Sequence, residues 1–316
     1  MSKGDIMKKH HTTFGFNRIL TLLLLPIIIL PIFLFASCQK KTRTMNINLF
    51  DTKSQMFQQI NLEKYLEGVV AGEISNNAPI EALKAQAVLA RTFTIKFLRD
   101  DSSMYEGADI STDINEAQAY NEDYINDNIR RAVKETKDIV VYYDNDYINA
   151  WFHSNSGGHT TTATDGLGYS LEEPKYIKPI KTNENTNNSK NFKWYYSFTK
   201  SEILTTLRDL GISISSLSTF KIGEKDSSGR AKTFIVGGKE ISANKFRLSI
   251  GSTKLKSTLI DSISVDENTI TFSGRGYGHG VGLSQEYAIT LANEGKTYKE
   301  IIFYFFNDVK IKSYKQ

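Results

Sequence analysis

Cysteine is almost absent from this sequence, since its 316 residues include only one, Cys38. A disulfide framework and a cysteine-built zinc or iron–sulfur site each need several thiols, so both are excluded. Proline is also scarce, with 5 residues, whereas hydrophobic residues make up 40% of the chain. This balance is typical of a chain that buries a core, and it excludes collagen-like, mucin-like and disordered proteins.

The net positive charge is small outside the N-terminus. The formal net charge is +4, and residues 1–18 supply +3 of it, from three lysines and one arginine against Asp5. Only +1 remains for the other residues, so the sequence gives no support for a surface that binds nucleic acid.

Long apolar runs are missing except for one near the N-terminus. Residues 19–37 (ILTLLLLPIIILPIFLFAS) carry no charge, and as a helix they would nearly cross a hydrocarbon core of about 30 Å. We therefore predict a basic cytoplasmic leader at 1–18, a membrane anchor or export signal at 19–38, and an extracytoplasmic body. The end of the run resembles a bacterial lipoprotein box, so an uncleaved anchor and a lipidated Cys38 remain alternatives. Either would hold the protein at the cell membrane.

Beyond this segment the pattern predicts an α+β fold of mixed helices and antiparallel strands. Residues 39–60 are interpreted as a linker that ends in a short strand, and 61–316 as one domain. Asn61 is expected to cap a first helix that ends near Glu73, and Pro79 to begin a second, central helix that runs to about Leu98. Further helices are expected near 126–136, 200–210, 242–250 and 283–294, with strands near 217–223, 231–237, 258–264 and 268–273 and a hairpin around Asp144.

Glu73 is the first candidate for chemistry. It follows Val69-Val70-Ala71-Gly72 at a helix end, and an apolar setting raises the pKa of a carboxyl group, so that it can act as a general acid. Gln86 lies on the apolar stripe of the second helix, where a buried amide needs a partner. Arg91 lies on the only polar face of that helix, where it either forms an ion pair with Glu81 or binds a sugar or an acidic group.

A second candidate segment is Trp151–Thr160 (WFHSNSGGHT). His153, Ser154 and Ser156 precede two glycines, but no G-x-S-x-G elbow is present. His153, His159 and Asp165 recur every six residues and form an alternative metal-ligand set, although this spacing is not that of a zincin.

The third segment, Gly274–Gln285, contains five glycines in nine residues together with His279. A phosphate cradle fails on context, because the Walker Lys-Ser/Thr and the acidic residue of a dinucleotide fold are missing. The alternatives are a tight loop packed under a helix and a backbone wall that a ligand approaches closely.

Together, GVVAGEISNNAPIEALKAQAVLARTF, FHSNSGGHT and GRGYGHGVGLSQEYA closely resemble the three signature blocks of the stage II sporulation protein D family (the SpoIID/LytB domain). The resemblance covers about residues 45–312. It implies a groove in which peptidoglycan glycan strands are cleaved during spore engulfment, and it assigns the acidic catalyst to Glu73 and the motif arginine to Arg91. Some members carry Cys or His where this chain has Ser111-Thr112-Asp113, so no metal and no cofactor are expected.

A one-carboxylate mechanism follows from these residues. A hydrolysing glycosidase generally needs two carboxylates, whereas a lytic transglycosylase uses the 6-hydroxyl of muramic acid as its nucleophile, so Glu73 alone suffices as acid and then base. Substrate contacts are expected from Gln86, Arg91, His153, Ser154, Ser156, His279 and Gln285. The expected partners are peptide-free glycan strands, a cell-wall amidase and other membrane proteins of the engulfment machinery. Two other classes stay open: a non-catalytic amidase enhancer and a metal-dependent amidase.

Overall fold

The computed structural model describes residues 45–184, 191–214 and 216–314. The predicted leader, membrane segment and Cys38 lie outside these residues. Within them, no helix combines the length and the apolarity that a bilayer crossing requires.

The described chain, which forms one unit from Met45 onward, is α+β. Its helices are α1 (Leu62–Glu73), α2 (Ile80–Asp100), α3 (Asp127–Glu135), α4 (Ala163–Leu167), α5 (Lys200–Asp209), α6 (Ala243–Ile250), α7 (Gln285–Asn293) and α8 (Tyr298–Phe305), with a 3-10 turn at Glu122–Tyr124. Its strands are β1 (Asn46–Asp51), β2 (Met56–Asn61), β3 (Ile110–Ser111), β4 (Ile139–Tyr143), β5 (Asp146–Tyr147), β6 (Phe152–His153), β7 (Lys193–Thr199), β8 (Phe220–Ile222), β9 (Thr233–Val236), β10 (Lys239–Ser242), β11 (Ile260–Val265), β12 (Thr269–Arg275), β13 (Leu283–Ser284) and β14 (Lys310–Ser313).

Helix α2 is the centre of the first half of the fold. One side packs with α1, α3 and β1 in a core that includes Leu66 and Leu83, and the other packs with α7, α8 and β4 in a core that includes Leu89 and Phe305. Thirteen of its 21 residues are buried. The prediction of a central buried helix is therefore confirmed, and such a helix fixes the position of every element that touches it.

The second half has its own core and three-stranded sheets. Strands β7, β12 and β11 form one antiparallel sheet, and β8, β9 and β10 form another. Phe198, Phe234, Phe246 and Phe272 are fully buried between these sheets and helices α5 and α6. The sequence predicts antiparallel strands. Among the described strands, however, β1 pairs with β3 and β6 pairs with β13 in parallel.

The sequence predicts a linker with one short strand for residues 39–60, and most of their described part is a pair of strands instead. Strand β1 pairs with β2 along its whole length, and Ile47 and Leu49 are buried in the first core. The alternation of apolar and polar residues in 45–50 is therefore that of a strand with one buried face.

Candidate active site

A cleft of about 520 Å³ lies where five segments of the chain converge. Its walls are the end of α1, the loop at 114–119, the segment 150–154, the loop at 252–253 and the glycine-rich segment 277–279. Phe93 of α2 and Gln285 of α7 complete it. The three sequence segments singled out for chemistry thus meet at one place.

Glu73 is the last residue of α1 and is the only acidic residue among the described residues that line the cleft. Its Oε1 accepts a hydrogen bond from the backbone N–H of Ala119 at 2.7 Å. The neighbouring Gly72 makes this contact possible, because a Cβ there would lie 2.8 Å from the backbone of Ala119. A glycine before the acid therefore lets the 114–119 loop pack against the helix end and hold the carboxyl group.

The Glu73 carboxyl group has a strongly perturbed pKa. Burial raises it from 4.5 to about 7, although hydrogen bonds from Ala119 and Gln285 to the carboxylate act in the opposite direction. A position at the C-terminal end of a helix also disfavours negative charge. Near neutral pH both protonation states are populated, as an acid that later acts as a base requires.

Gln285 and Gln86 extend from the carboxyl group into the protein. The Gln285 side chain bonds to Glu73, and its Nε2 donates to Oε1 of Gln86 at 3.3 Å. Gln86 is fully buried and does not line the cleft, and its Nε2 has no hydrogen-bond partner among the described residues. Gln86 thus lies behind Gln285, where it orients the amide that contacts Glu73.

The backbone of Val281 connects the rings of His153 and His279, whose centroids lie 5.5 Å apart. His153 Nδ1 lies 3.1 Å from the Val281 carbonyl, while the Val281 N–H donates to His279 Nδ1 at 3.0 Å. The His279 ring also bonds to the backbone of Phe152. These contacts assign the proton of His153 to Nδ1 and that of His279 to Nε2.

Both histidines are held neutral. Burial, together with the nearby charge of Arg230, lowers the pKa of His153 to about 3, and burial lowers that of His279 well below its ordinary value. His153 Nε2 is buried and has no partner among the described side chains and backbone, and His153 lines the cleft. It is therefore a hydrogen-bond acceptor free to receive a hydroxyl or amide proton.

The other predicted contact residues divide between the cleft and the interior. Ser154 lines the cleft, and its Oγ accepts from Asn191 at 3.2 Å. Ser156 does not line it, because its hydroxyl is fully buried and bonded to the carboxylate of Glu184 at 2.5 Å. Ser156 thus secures the loop behind His153.

Arg91 is also placed in the interior, away from the cleft. Its side chain is fully buried, and its Nε and Nη2 donate to the two carboxylate oxygens of Glu63 at 2.9 and 2.5 Å. Nη1 donates to the Ile139 carbonyl at 3.1 Å. Arg91 is predicted from sequence to contact substrate. Its charge is already paired with Glu63, and its side chain joins α2 to α1 and β4 instead.

The alternative metal-ligand set is not assembled. His159 Nδ1 lies 2.8 Å from the Thr160 carbonyl, and Asp165 bonds to Thr162, which caps α4. Within 45–184, 191–214 and 216–314, no group of three His, Cys, Asp or Glu residues is placed to hold a metal ion.

The sequence does not predict one wall of the cleft, the 114–119 loop, and it predicts the glycine-rich wall only in part. The 114–119 loop, for which the sequence predicts no role in the site, supplies Ala119 and Gln118 to the cleft. Of the five glycines in the third segment, only Gly278 lines the cleft, whereas a Cβ at Gly280 would collide with the buried Arg230. Composition gives no signal for the loop, although Gly72 beside Glu73 marks a close approach of some backbone.

Comparison with known proteins agrees with this geometry. The family model SpoIID, described as stage II sporulation protein, matches residues 51–143, and a domain of unknown function matches 143–282. Stage II sporulation protein D of Bacillus subtilis is 30% identical over 285 residues, which are 86% of this chain and 80% of that protein. The chain belongs to the stage II sporulation protein D family.

Two further relatives are similar to this chain. Stage II sporulation protein D of Bacillus amyloliquefaciens is 27% identical over 86% of this chain and 80% of its own length. An amidase enhancer of Bacillus subtilis is 26% identical over 79% of this SpoIID-family chain but only 40% of its own length. The two family models together span Glu73, His153 and His279, all of which line the cleft.

Proposed function

We propose that this SpoIID-family protein is a lytic transglycosylase that cleaves peptide-free peptidoglycan glycan strands and leaves 1,6-anhydro-muramic ends. The observation that carries the proposal is the single carboxyl group among the described walls of the cleft, that of Glu73, which is partly exposed and whose pKa desolvation raises to about 7, in a cleft of a size that admits sugars. A hydrolysing glycosidase generally needs a second carboxylate to activate water or attack the sugar. The described walls of this cleft supply only one.

The chemistry needs two proton transfers at the same carboxyl group. Protonated Glu73 donates to the glycosidic oxygen while the C1–O bond of muramic acid breaks, and the leaving sugar departs with a new hydroxyl group. The resulting carboxylate then takes the proton of the muramic 6-hydroxyl while the oxygen of that hydroxyl group bonds to C1. Glu73 ends protonated again, and no water is consumed.

The remaining cleft residues hold the substrate in this account. His153 Nε2 accepts a hydrogen bond from a sugar hydroxyl or an acetamido N–H, and Ser154 and His279 line the same cleft. Gln285, oriented by Gln86, bonds to Glu73 and stabilises the carboxylate that forms when the acid has donated its proton.

A second candidate function is that of an amidase enhancer, which binds glycan without cutting it. The relative that bears this name favours it, because that match covers 79% of this chain. In that case the cleft binds a strand and the protein stimulates a partner amidase, and loss of the Glu73 acid leaves the stimulation intact.

We also propose that the protein acts outside the cytoplasm, tethered to the cell membrane by residues 19–38. The support is the uncharged apolar run of the sequence, flanked by basic residues. Labelling with radioactive palmitate distinguishes the two tethers, because only a lipidated Cys38 loses its label in Cys38→Ser.

Mass spectrometry of reaction products tests the proposed chemistry. Purified protein incubated with peptide-free strands is expected to release fragments whose muramic ends lack one water relative to reducing ends. Fragments with reducing ends would show hydrolysis instead. The absence of any cleavage, together with stimulation of an added amidase, would favour the enhancer function.

A further inference from the structure

Two further hollows lie next to the cleft. Phe93, Ala150 and Trp151 line both the cleft and the second hollow, of about 60 Å³. Lys96 and Asn149 line both the second hollow and a third, of about 460 Å³. The three spaces thus follow one another through shared walls in a row that we call the groove, and we call the third of them the distal hollow.

Aromatic side chains follow this groove. Trp151 lies edge-on to Tyr169 with ring centroids 5.2 Å apart, and Tyr169 accepts a hydrogen bond from Asn149 Nδ2 at 3.4 Å. Tyr147 and Tyr169 both line the distal hollow and are partly exposed. Rigid aromatic rings beside an amide provide the flat apolar faces and the polar groups that a sugar ring needs.

Charge in the distal hollow selects against acidic groups. Asp144, Asp146, Glu172 and Glu173 line it, against Lys96 and Lys175. Lys96 is already paired, with its Nζ 2.8 Å from Asp100 and 3.8 Å from Asp146. A muramic carboxylate would meet net negative charge there, whereas an uncharged N-acetylglucosamine would not.

We propose that the groove holds the glycan strand on one side of the bond at Glu73, and that the distal hollow is a subsite for an uncharged N-acetylated sugar. This inference rests on the proposed function, because a polymer cut inside the cleft must leave it along a continuous path. The second hollow, past Trp151, is lined by the rings of Phe93, Phe97 and Trp151, and Trp151 is partly exposed.

The test measures binding against strand length. The Glu73→Gln protein, which keeps the strand uncut, is titrated with peptide-free glycan fragments from disaccharide to octasaccharide. Affinity is expected to rise again once a fragment is long enough to pass beyond the cleft, by roughly fivefold to tenfold. An affinity that stops rising at the length that fills the cleft would overturn the inference.

Three variants locate the effect. Tyr169→Leu removes the ring and is expected to abolish the gain for long fragments while leaving short ones unchanged, whereas Tyr169→Phe keeps the gain. Tyr195→Leu is the control, because Tyr195 is 81% exposed on β7 and lies outside the groove. Thermal unfolding checks that each variant is folded. Equal loss for short and long fragments in Tyr169→Leu, or no loss at all, would overturn the subsite.

The outcomes separate this inference from the proposed chemistry. Length-dependent affinity without anhydro ends would support the groove and reject the transglycosylase. Anhydro ends without length-dependent affinity would support the chemistry and reject the groove.

Discussion

In the proposed chemistry the acid is a single carboxyl group, that of Glu73, and its environment explains why it can donate a proton. Glu73 combines burial, a helix C-terminal position and only two hydrogen bonds that favour its charged form, so its pKa rises to about 7. The same residue at an exposed helix end would be ionised at neutral pH and unable to donate a proton. The neutral His153 beside it adds an acceptor but no competing charge.

The raised pKa also links stability to pH. Because the folded pKa of Glu73 lies above its ordinary value of 4.5, the protonated form stabilises the fold below about pH 4.5, and this contribution is lost as pH rises through about 7. Glu73→Gln, which stays neutral, is expected to be more stable than wild type by about 2 kcal/mol at pH 8 and equal to it at pH 4. Urea unfolding at the two pH values measures the difference. Equal stability at both would mean that the carboxyl group is not buried as described.

At the scale of elements, α2 depends on the pair between Arg91 and Glu63. Arg91→Met leaves the Glu63 carboxylate, which is 19% exposed, without its partner and removes a donor from the Ile139 carbonyl, so it is expected to lower the free energy of unfolding by about 2–3 kcal/mol. The KM of the protein that remains folded is expected to stay unchanged. Arg131→Met, which removes an exposed pair with Glu135, is the control and is expected to leave the free energy of unfolding nearly unchanged. A raised KM in Arg91→Met with little loss of stability would restore the substrate-binding interpretation.

The glycine-rich segment positions His153 from behind. Gly278 has φ +112°, and a Cβ there would lie 2.7 Å from the Cβ of His153. Gly278→Ala is therefore expected to move the histidine and lower the rate of glycan cleavage on the order of tenfold to a hundredfold. Gly295→Ala is the matched control, with φ +84° and open space around its Cβ, so it carries backbone strain alone. Similar rates in the two variants would show that the contact with His153 has no effect on cleavage.

Local patterns predicted most of the elements, and contacts between distant segments account for what they missed. The Asn61 cap, the apolar stripes of α2 and the hairpin turn at Asp144 and Asn145, both with positive φ, are written in neighbouring residues. The interior position of Arg91 and the 114–119 wall depend on partners far along the chain. Glu73 could be selected from sequence because its apolar neighbours are adjacent to it, whereas Ala119 could not.

At the scale of the whole molecule, low net charge leaves recognition to the cleft. Since the net charge beyond residue 18 is only +1, long-range attraction to anionic wall polymers is weak. The cleft, of about 520 Å³, is walled by the 114–119, 150–154 and 277–279 segments, and a stem peptide on every muramic acid would compete with the sugars for this space. We therefore expect cleavage of peptide-free strands, and of intact sacculi only after an amidase is added. Equal rates of anhydro-end formation on stripped and intact sacculi without amidase would contradict this selectivity.

The most direct test of the central claim is the rate at which Glu73→Gln forms 1,6-anhydro-muramic ends from peptide-free strands, compared with wild type at pH 6. Glutamine has nearly the same shape but cannot donate the proton, so the account predicts a rate on the order of a hundredfold to ten-thousandfold lower, with glycan binding retained. A Glu73→Gln protein that forms these ends at a rate near that of wild type would contradict the assignment of Glu73 as the acid.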